Sequence, residues 1–218
     1  MRIGLPIVFM LLLLVSCQTD TYEKGDGRYS YLRSDFVEAH TSKSETIDKA
    51  VTDDGDTLQM MPLMKASWAH TPDSVYRCLL YYNKAEGHAE PLTAQRVPVV
   101  TYRPVEQIDT VFTDQLAFES AWISRSRKYL NIALSVKTGK DEKEDRVQHI
   151  GLICDSIRIG IEGNRHLYLR IYHRQNGVPQ YYSSKKYMSM PLNGLASGTV
   201  IHLAVNTYDG EVKKLLKY

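Results

Sequence analysis

Residues 129–136 read Tyr129-Leu130-Asn131-Ile132-Ala133-Leu134-Ser135-Val136. Successive side chains of an extended chain point to opposite faces, so Leu130, Ile132, Leu134 and Val136 share one side. Apolar residues at every second position are the signature of a strand with one buried face. Just upstream, Leu116, Phe118, Ser120 and Trp122 alternate in the same way, and Ser124-Arg125-Ser126-Arg127 interrupts the pattern. Trp122 is therefore expected in the core of this unit, since an indole buries a large area against an opposing sheet.

The pattern continues downstream. Thr138 to Asp145 is a charged loop. Strands are then expected at His149–Ile159, His166–His173 and Gln180–Met190, with Gly163-Asn164 and Asn176-Gly177 turning the chain. A last hairpin, Val200–Thr207 and Glu211–Leu216, pivots on Tyr208-Asp209-Gly210. Many short strands with turns at regular spacing predict a β-sandwich over residues 109–218.

Upstream the strands are of the same kind. Alternation begins at Arg28. Thr46–Val51 and Thr57–Met61 flank Asp53-Asp54-Gly55-Asp56, a turn sequence that predicts a hairpin. Ser74–Tyr82 and Thr93–Tyr102 follow, with Pro98 marking an edge or a bulge. About five strands over residues 27–108 suit a small closed barrel, and the pattern lapses around Pro104–Thr113. The fold class is all-β. Its 15 tyrosines agree with that, because aromatic side chains fit a pleated, half-buried surface.

The amino-terminal stretch sets the location. Arg2 precedes an apolar run from Leu5 to Val15, which ends in Leu14-Val15-Ser16-Cys17. The run is shorter than the roughly 20 residues a transmembrane helix needs. It has the basic start, short apolar stretch and small residue of a secretory signal. Leucine three residues before the cut and a cysteine just after it make a lipobox, in which the Cys17 thiol takes a diacylglycerol. Residues 1–16 are then a leader, Cys17 is the lipidation site, and residues 17–26 are a polar tether. Several acyl chains anchor stably, since each buried methylene contributes about 0.8 kcal/mol. The expected place is the cell envelope as an outer-membrane lipoprotein, carrying palmitate-type acylation, on either side of that membrane.

The 27 basic and 25 acidic side chains nearly balance, which leaves no electrostatic footprint for nucleic acid. Chemistry is sparse as well. No pair among His40, His70, His88, His149, His166, His173 and His202 has helical metal-ligand spacing. Asp53, Asp54 and Asp56 lack the spacing and terminal glutamate of a calcium loop. There is no Gly-x-Ser-x-Gly elbow and no phosphate-cradling glycine loop. Cys78 and Cys154 are far apart. A disulfide is chemically permitted outside the inner membrane, and two buried free thiols are the simpler expectation. No catalytic residue, metal or cofactor is assigned. The candidate binding residues are Tyr168, Arg170 and Tyr172, on one strand face opposite Leu167, Leu169 and Ile171, with Tyr182 following. Aromatic and basic side chains together can meet a sugar or a protein partner.

The lipobox with Cys17, the turn Asp53-Asp54-Gly55-Asp56-Thr57-Leu58 and the run Leu80-Tyr81-Tyr82-Asn83 combine with Phe118-Glu119-Ser120-Ala121-Trp122 and Tyr129-Leu130-Asn131-Ile132. On these residues the chain resembles the NigD-like lipoproteins of Bacteroidetes over nearly its whole mature length. The stretch between Trp122 and Tyr129 is long and basic here. The resemblance implies an N-terminal OB-like barrel, a C-terminal β-sandwich and an association with bacteriocin operons, where an immunity role is proposed. The expected function is binding or interaction in the envelope, without catalysis, toward a protein or a glycan. The alternatives are bacteriocin self-immunity and an envelope hydrolase with a dispersed site.

Overall fold

The computed structural model describes residues 32–218 except 86, 141–145 and 162. The leader, Cys17, the tether and the alternation at residues 28–31 lie outside the described residues. Thirteen strands are described: β1 (Leu32–Lys43), β2 (Thr46–Thr52), β3 (Thr57–Lys65), β4 (Val75–Ala85), β5 (His88–Arg96), β6 (Tyr102–Pro104), β7 (Ala117–Ile123), β8 (Tyr129–Thr138), β9 (His149–Ile159), β10 (Arg165–Arg174), β11 (Tyr182–Pro191), β12 (Val200–Thr207) and β13 (Gly210–Lys217). The chain is all-β, with one 3-10 turn at Val105–Gln107.

The first five strands close into a barrel in the order β1-β2-β3-β5-β4. This is the five-stranded Greek-key closure of an OB-like barrel. β2 and β3 pair across the Asp53–Asp56 turn, where Gly55 takes a φ of 92°. That left-handed conformation is costly for any residue with a Cβ. Val37, Ala39, Ile47, Leu58, Met60 and Leu80 are among the residues that fill the barrel.

The remaining strands form two facing sheets, β13-β12-β10-β9-β6 and β11-β8-β7. Their shared core includes Leu130, Ile132, Leu134 and Val136 from the opening motif, facing Leu167, Leu169, Ile171, Ile201 and Leu203. Alternation alone decides this, because each of these positions is two residues from the next. Cys78 is buried in the barrel core and Cys154 in the sandwich core, and both thiols are free. Burial pushes the Cys78 thiol up to about 12, so it remains an unreactive small hydrophobe.

Two local expectations are corrected. The extended run expected over Thr93–Tyr102 is two strands. Barrel strand β5 ends at Arg96, and Tyr102–Pro104 pairs with β9 in the five-stranded sheet. Between them Ser189 receives an N–H from Val100 and donates its own to the Pro98 carbonyl, so this piece of chain runs along β11. Trp122 does not lie in the sandwich core. The register between β7 and β8 slips between Phe118 and Ser120, where Phe118 faces Leu134 but Ser120 faces Ala133. An extra residue in a strand reverses the faces of everything after it. Phe118 therefore packs on the core, while Trp122, opposite Asn131, points away from it.

Candidate functional site

Beyond the bulge, the outer face of the three-stranded sheet presents Trp122, Asn131, Tyr187 and Ser189. The barrel packs on this face. Phe36, outward-facing on β1 between Asp35 and core residue Val37, sits edge-on to both Trp122 (ring centroids 5.4 Å) and Tyr187 (5.3 Å). Edge-to-face pairs at this distance suit the aromatic quadrupoles.

Arg77 lies at the centre of the joint. It interrupts the apolar β4 run Val75-Tyr76-Arg77-Cys78-Leu79-Leu80, and its side chain is 1% exposed. Its Nη2 donates to Asp53 Oδ2 at 2.6 Å and to Asn131 Oδ1 at 3.1 Å, and its Nε donates to Ser189 Oγ at 3.3 Å. Asn131 Nδ2 also donates to Asp53 Oδ2, at 2.9 Å, and Ser189 Oγ donates to Asn131 Oδ1, at 2.7 Å. The guanidinium carbon lies 4.3 Å from the Tyr129 ring centre and 5.5 Å from that of Phe36. Nη1 has no hydrogen-bond partner. One buried cation from the barrel thus holds a barrel carboxylate, two polar side chains of the sandwich and two ring faces.

The edge of the joint is also polar. Lys128 Nζ donates to Glu38 Oε2 at 2.7 Å, and the Tyr129 hydroxyl donates to Glu38 Oε1 at 3.0 Å. The backbone N–H of Ser126 donates to the Asp53 carbonyl at 2.7 Å, and Arg125 lies 3.6 Å from Asp54. The acidic turn Asp53–Asp56 is therefore a docking surface for the basic β7–β8 connection. Burial pushes the Glu38 carboxyl up, but the hydrogen bonds from Lys128 and Tyr129 and the charges of Lys128 and Arg77 outweigh it. The net position is below the usual glutamate value. Burial first, and then the bond to Glu38, push the Tyr129 hydroxyl up to about 12, so it stays a donor.

A folded-state pKa below the unfolded one adds stability above the unfolded value, near 4.3, and that stability is lost as pH falls through the folded value. The thermal midpoint should therefore drop below about pH 4.5, and Glu38→Gln should blunt that drop. Midpoints recorded from pH 3 to 7 on both proteins decide it. Equal acid sensitivity in the two would remove Glu38 from the explanation.

Tyr168, Arg170 and Tyr172 do share the outer face of β10, opposite buried Leu167, Leu169 and Ile171. Tyr182 is not with them. It stands on β11 in the other sheet, 61% exposed and paired with Thr138. The outer face also holds two residues that sequence spacing did not connect. His166 Nδ1 lies 2.9 Å from His202 Nε2, and the His202 ring stacks on Tyr168 at 4.3 Å and 12°. Arg158 lies over the Tyr168 ring at 5.3 Å. Burial, and then the neighbouring His166, hold the His202 imidazole below its ordinary value. Arg170 forms a two-pronged ion pair with Asp155, and its Nε is 3.2 Å from Oδ2. A groove of about 450 Å3 runs past Tyr168, Arg170, His202, Lys213 and Leu215.

His173 is buried and bonded to the Asp114 carbonyl and Gln148. Among the described residues no three His, Cys, Asp or Glu side chains converge on a point that could hold a metal ion. The joint went unseen in the sequence, although it left a signal. Arg77 and Asn131 are polar residues inside strands whose neighbours are apolar, and a polar group buried in a core must find partners.

The family model described as the NigD-like C-terminal beta sandwich domain matches residues 98–218. The crystal structure of a NigD-like immunity protein from Bacteroides caccae aligns with a TM-score of 0.65 at 20% identity, covering 84% of this chain and 91% of that one. A protein of unknown function from Bacteroides vulgatus also aligns at 0.65, with 15% identity, covering 86% of this chain and 90% of the other. At these identities the likeness is one of fold. No curated protein matches the chain.

Proposed function

Because the chain belongs to the NigD-like family, we propose that it is a cell-envelope lipoprotein, anchored by lipid at Cys17, that acts by binding and not by catalysis. One observation carries this reading: the charged side chains gathered at the joint are occupied in holding two modules together. Asp53 and Arg77 clamp barrel to sandwich, Glu38 receives Lys128 and Tyr129, and Cys78 is sealed in a core. A body locked in this way keeps its outer surfaces in fixed relation, which suits recognition of a partner protein or a glycan. Nucleic acid is not the expected partner, since the chain carries a formal net charge of only +2.

Anchoring is tested first. Cys17→Ala should leave no acyl acceptor in the lipobox and abolish membrane association. Fatty-acid labelling and detergent partitioning of both proteins measure this. A variant still labelled and still bound to membranes would overturn the anchor.

Bacteriocin self-immunity is a second reading, favoured by the fold shared with the NigD-like immunity protein of Bacteroides caccae. It requires that deleting the gene sensitise the producing strain to a bacteriocin and that the intact chain restore protection. Unchanged sensitivity on deletion would discard it.

A further inference from the structure

The outer face of the five-stranded sheet carries more charge than the molecule as a whole. Pairing and alternation place Arg158, Arg170, Arg174, Lys213 and Lys217 outward, together with His166, Tyr168, Tyr172 and His202. Asp155 and Glu211 are the carboxylates beside them, already paired with Arg170 and Lys213. Arg103 of β6 pairs with Ile153 on the same face, so six cations stand against two paired carboxylates here, while the whole chain nets +2. Arg158, Arg174 and Lys217 have no carboxylate partner among the described residues. His166, Tyr168, Arg170, Tyr172 and Arg174 line up along β10 over eight residue steps, about 26 Å at strand rise.

One further observation helps to select the kind of ligand. The Tyr168 ring at the centre of the face is in use, with His202 stacked on it and Arg158 over it. Unstacked nucleic-acid bases need a free aromatic face. Recognition is thus left to charge and to hydrogen bonds from the edges of the rings, along a linear track with a shallow groove.

We infer that this face binds an acidic polysaccharide, its carboxylates or sulfates meeting the column of Arg158, Arg170, Arg174, Lys213 and Lys217. The inference rests on reading the chain as an envelope binding protein and names the ligand class of that activity. Complementary charge supplies attraction over about 10 Å at ordinary salt, and weakens as salt rises.

The test uses the full-length protein in detergent micelles, with polygalacturonate and heparin as acidic probes and dextran as the neutral one. Single-stranded DNA and phosphatidylglycerol vesicles serve as rival polyanions. Both acidic polysaccharides should bind and dextran should not. Arg158→Glu with Lys217→Glu should weaken binding by about tenfold or more, the scale of losing two ionic contacts to a polyanion. These exposed positions should leave the thermal midpoint unchanged, and Lys43→Glu on the barrel should bind as the wild type does. No binding of either acidic polysaccharide would overturn the assignment. So would equal binding of dextran, an unchanged affinity in the double variant, or tighter binding of DNA or the vesicles. Labelling at Cys17 is read separately, so failure here is distinct from failure of the envelope assignment.

Discussion

Arg77→Ala should lower the unfolding free energy by about 3–5 kcal/mol, the range for removing one partner of a buried ion pair. The loss has identifiable parts. Asp53 keeps its position near the joint, with only 17% of its side chain exposed, and loses its cation. Asn131 and Ser189, both fully buried, each lose a donor. Tyr129 and Phe36 lose the guanidinium between them. For a chain of this size each kcal/mol moves the midpoint by about 2–4 °C, so a fall near 10 °C is expected. Arg77→Met with Asp53→Asn should cost less than Arg77→Ala alone, because a packed apolar side chain replaces the cation and no charge is stranded. Urea denaturation of the three proteins checks this. A single variant within about 1 kcal/mol of wild type would mean that the joint is only surface contact.

The second large effect belongs to the barrel. Tyr82 is 2% exposed in the core, and its hydroxyl donates to Asp35 Oδ2 at 2.8 Å. Burial, and then the Asp35 bond and charge, push the hydroxyl well above its ordinary pKa, so it donates throughout the neutral range. Tyr82→Ala leaves a cavity the size of a ring and should cost about 3–5 kcal/mol. Tyr82→Phe keeps the ring, loses one hydrogen bond and should cost about 1 kcal/mol. The ratio of the two costs is the informative quantity. If both variants lost the same amount, the hydroxyl and not the ring would be holding the barrel.

Particular residues show how far the sequence could be read. Leu130, Ile132, Leu134 and Val136 lie on the sandwich core because alternation is a local rule that no neighbour overrides. The hairpin at Asp53–Asp56 and the closing hairpin around Asp209-Gly210 were legible for the same reason, since turn chemistry is local. Trp122 was misplaced because a single extra residue at Glu119 reverses the strand's faces, and nothing in Phe118-Glu119-Ser120 marks a bulge. The Asp53–Arg77–Asn131–Ser189 cluster joins residues up to 136 positions apart, and sequence spacing carries no information on such a meeting. The shared outer face of Tyr168, Arg170 and Tyr172 was legible from alternation. Their approach to His202 and Arg158 required the parallel pairing of β10 with β12 and the antiparallel pairing of β10 with β9. Tyr182 was grouped with them by nearness in sequence, but it stands in the other sheet.

The central claim is that the reactive side chains at the joint are structural and that the protein works by binding. A turnover screen on the purified full-length protein, with ester, glycoside and peptide substrates, tests it most directly, run beside Asp53→Asn and Glu38→Gln. The account predicts no turnover above buffer in any of the three. Turnover by the wild type that disappears in either variant would contradict it.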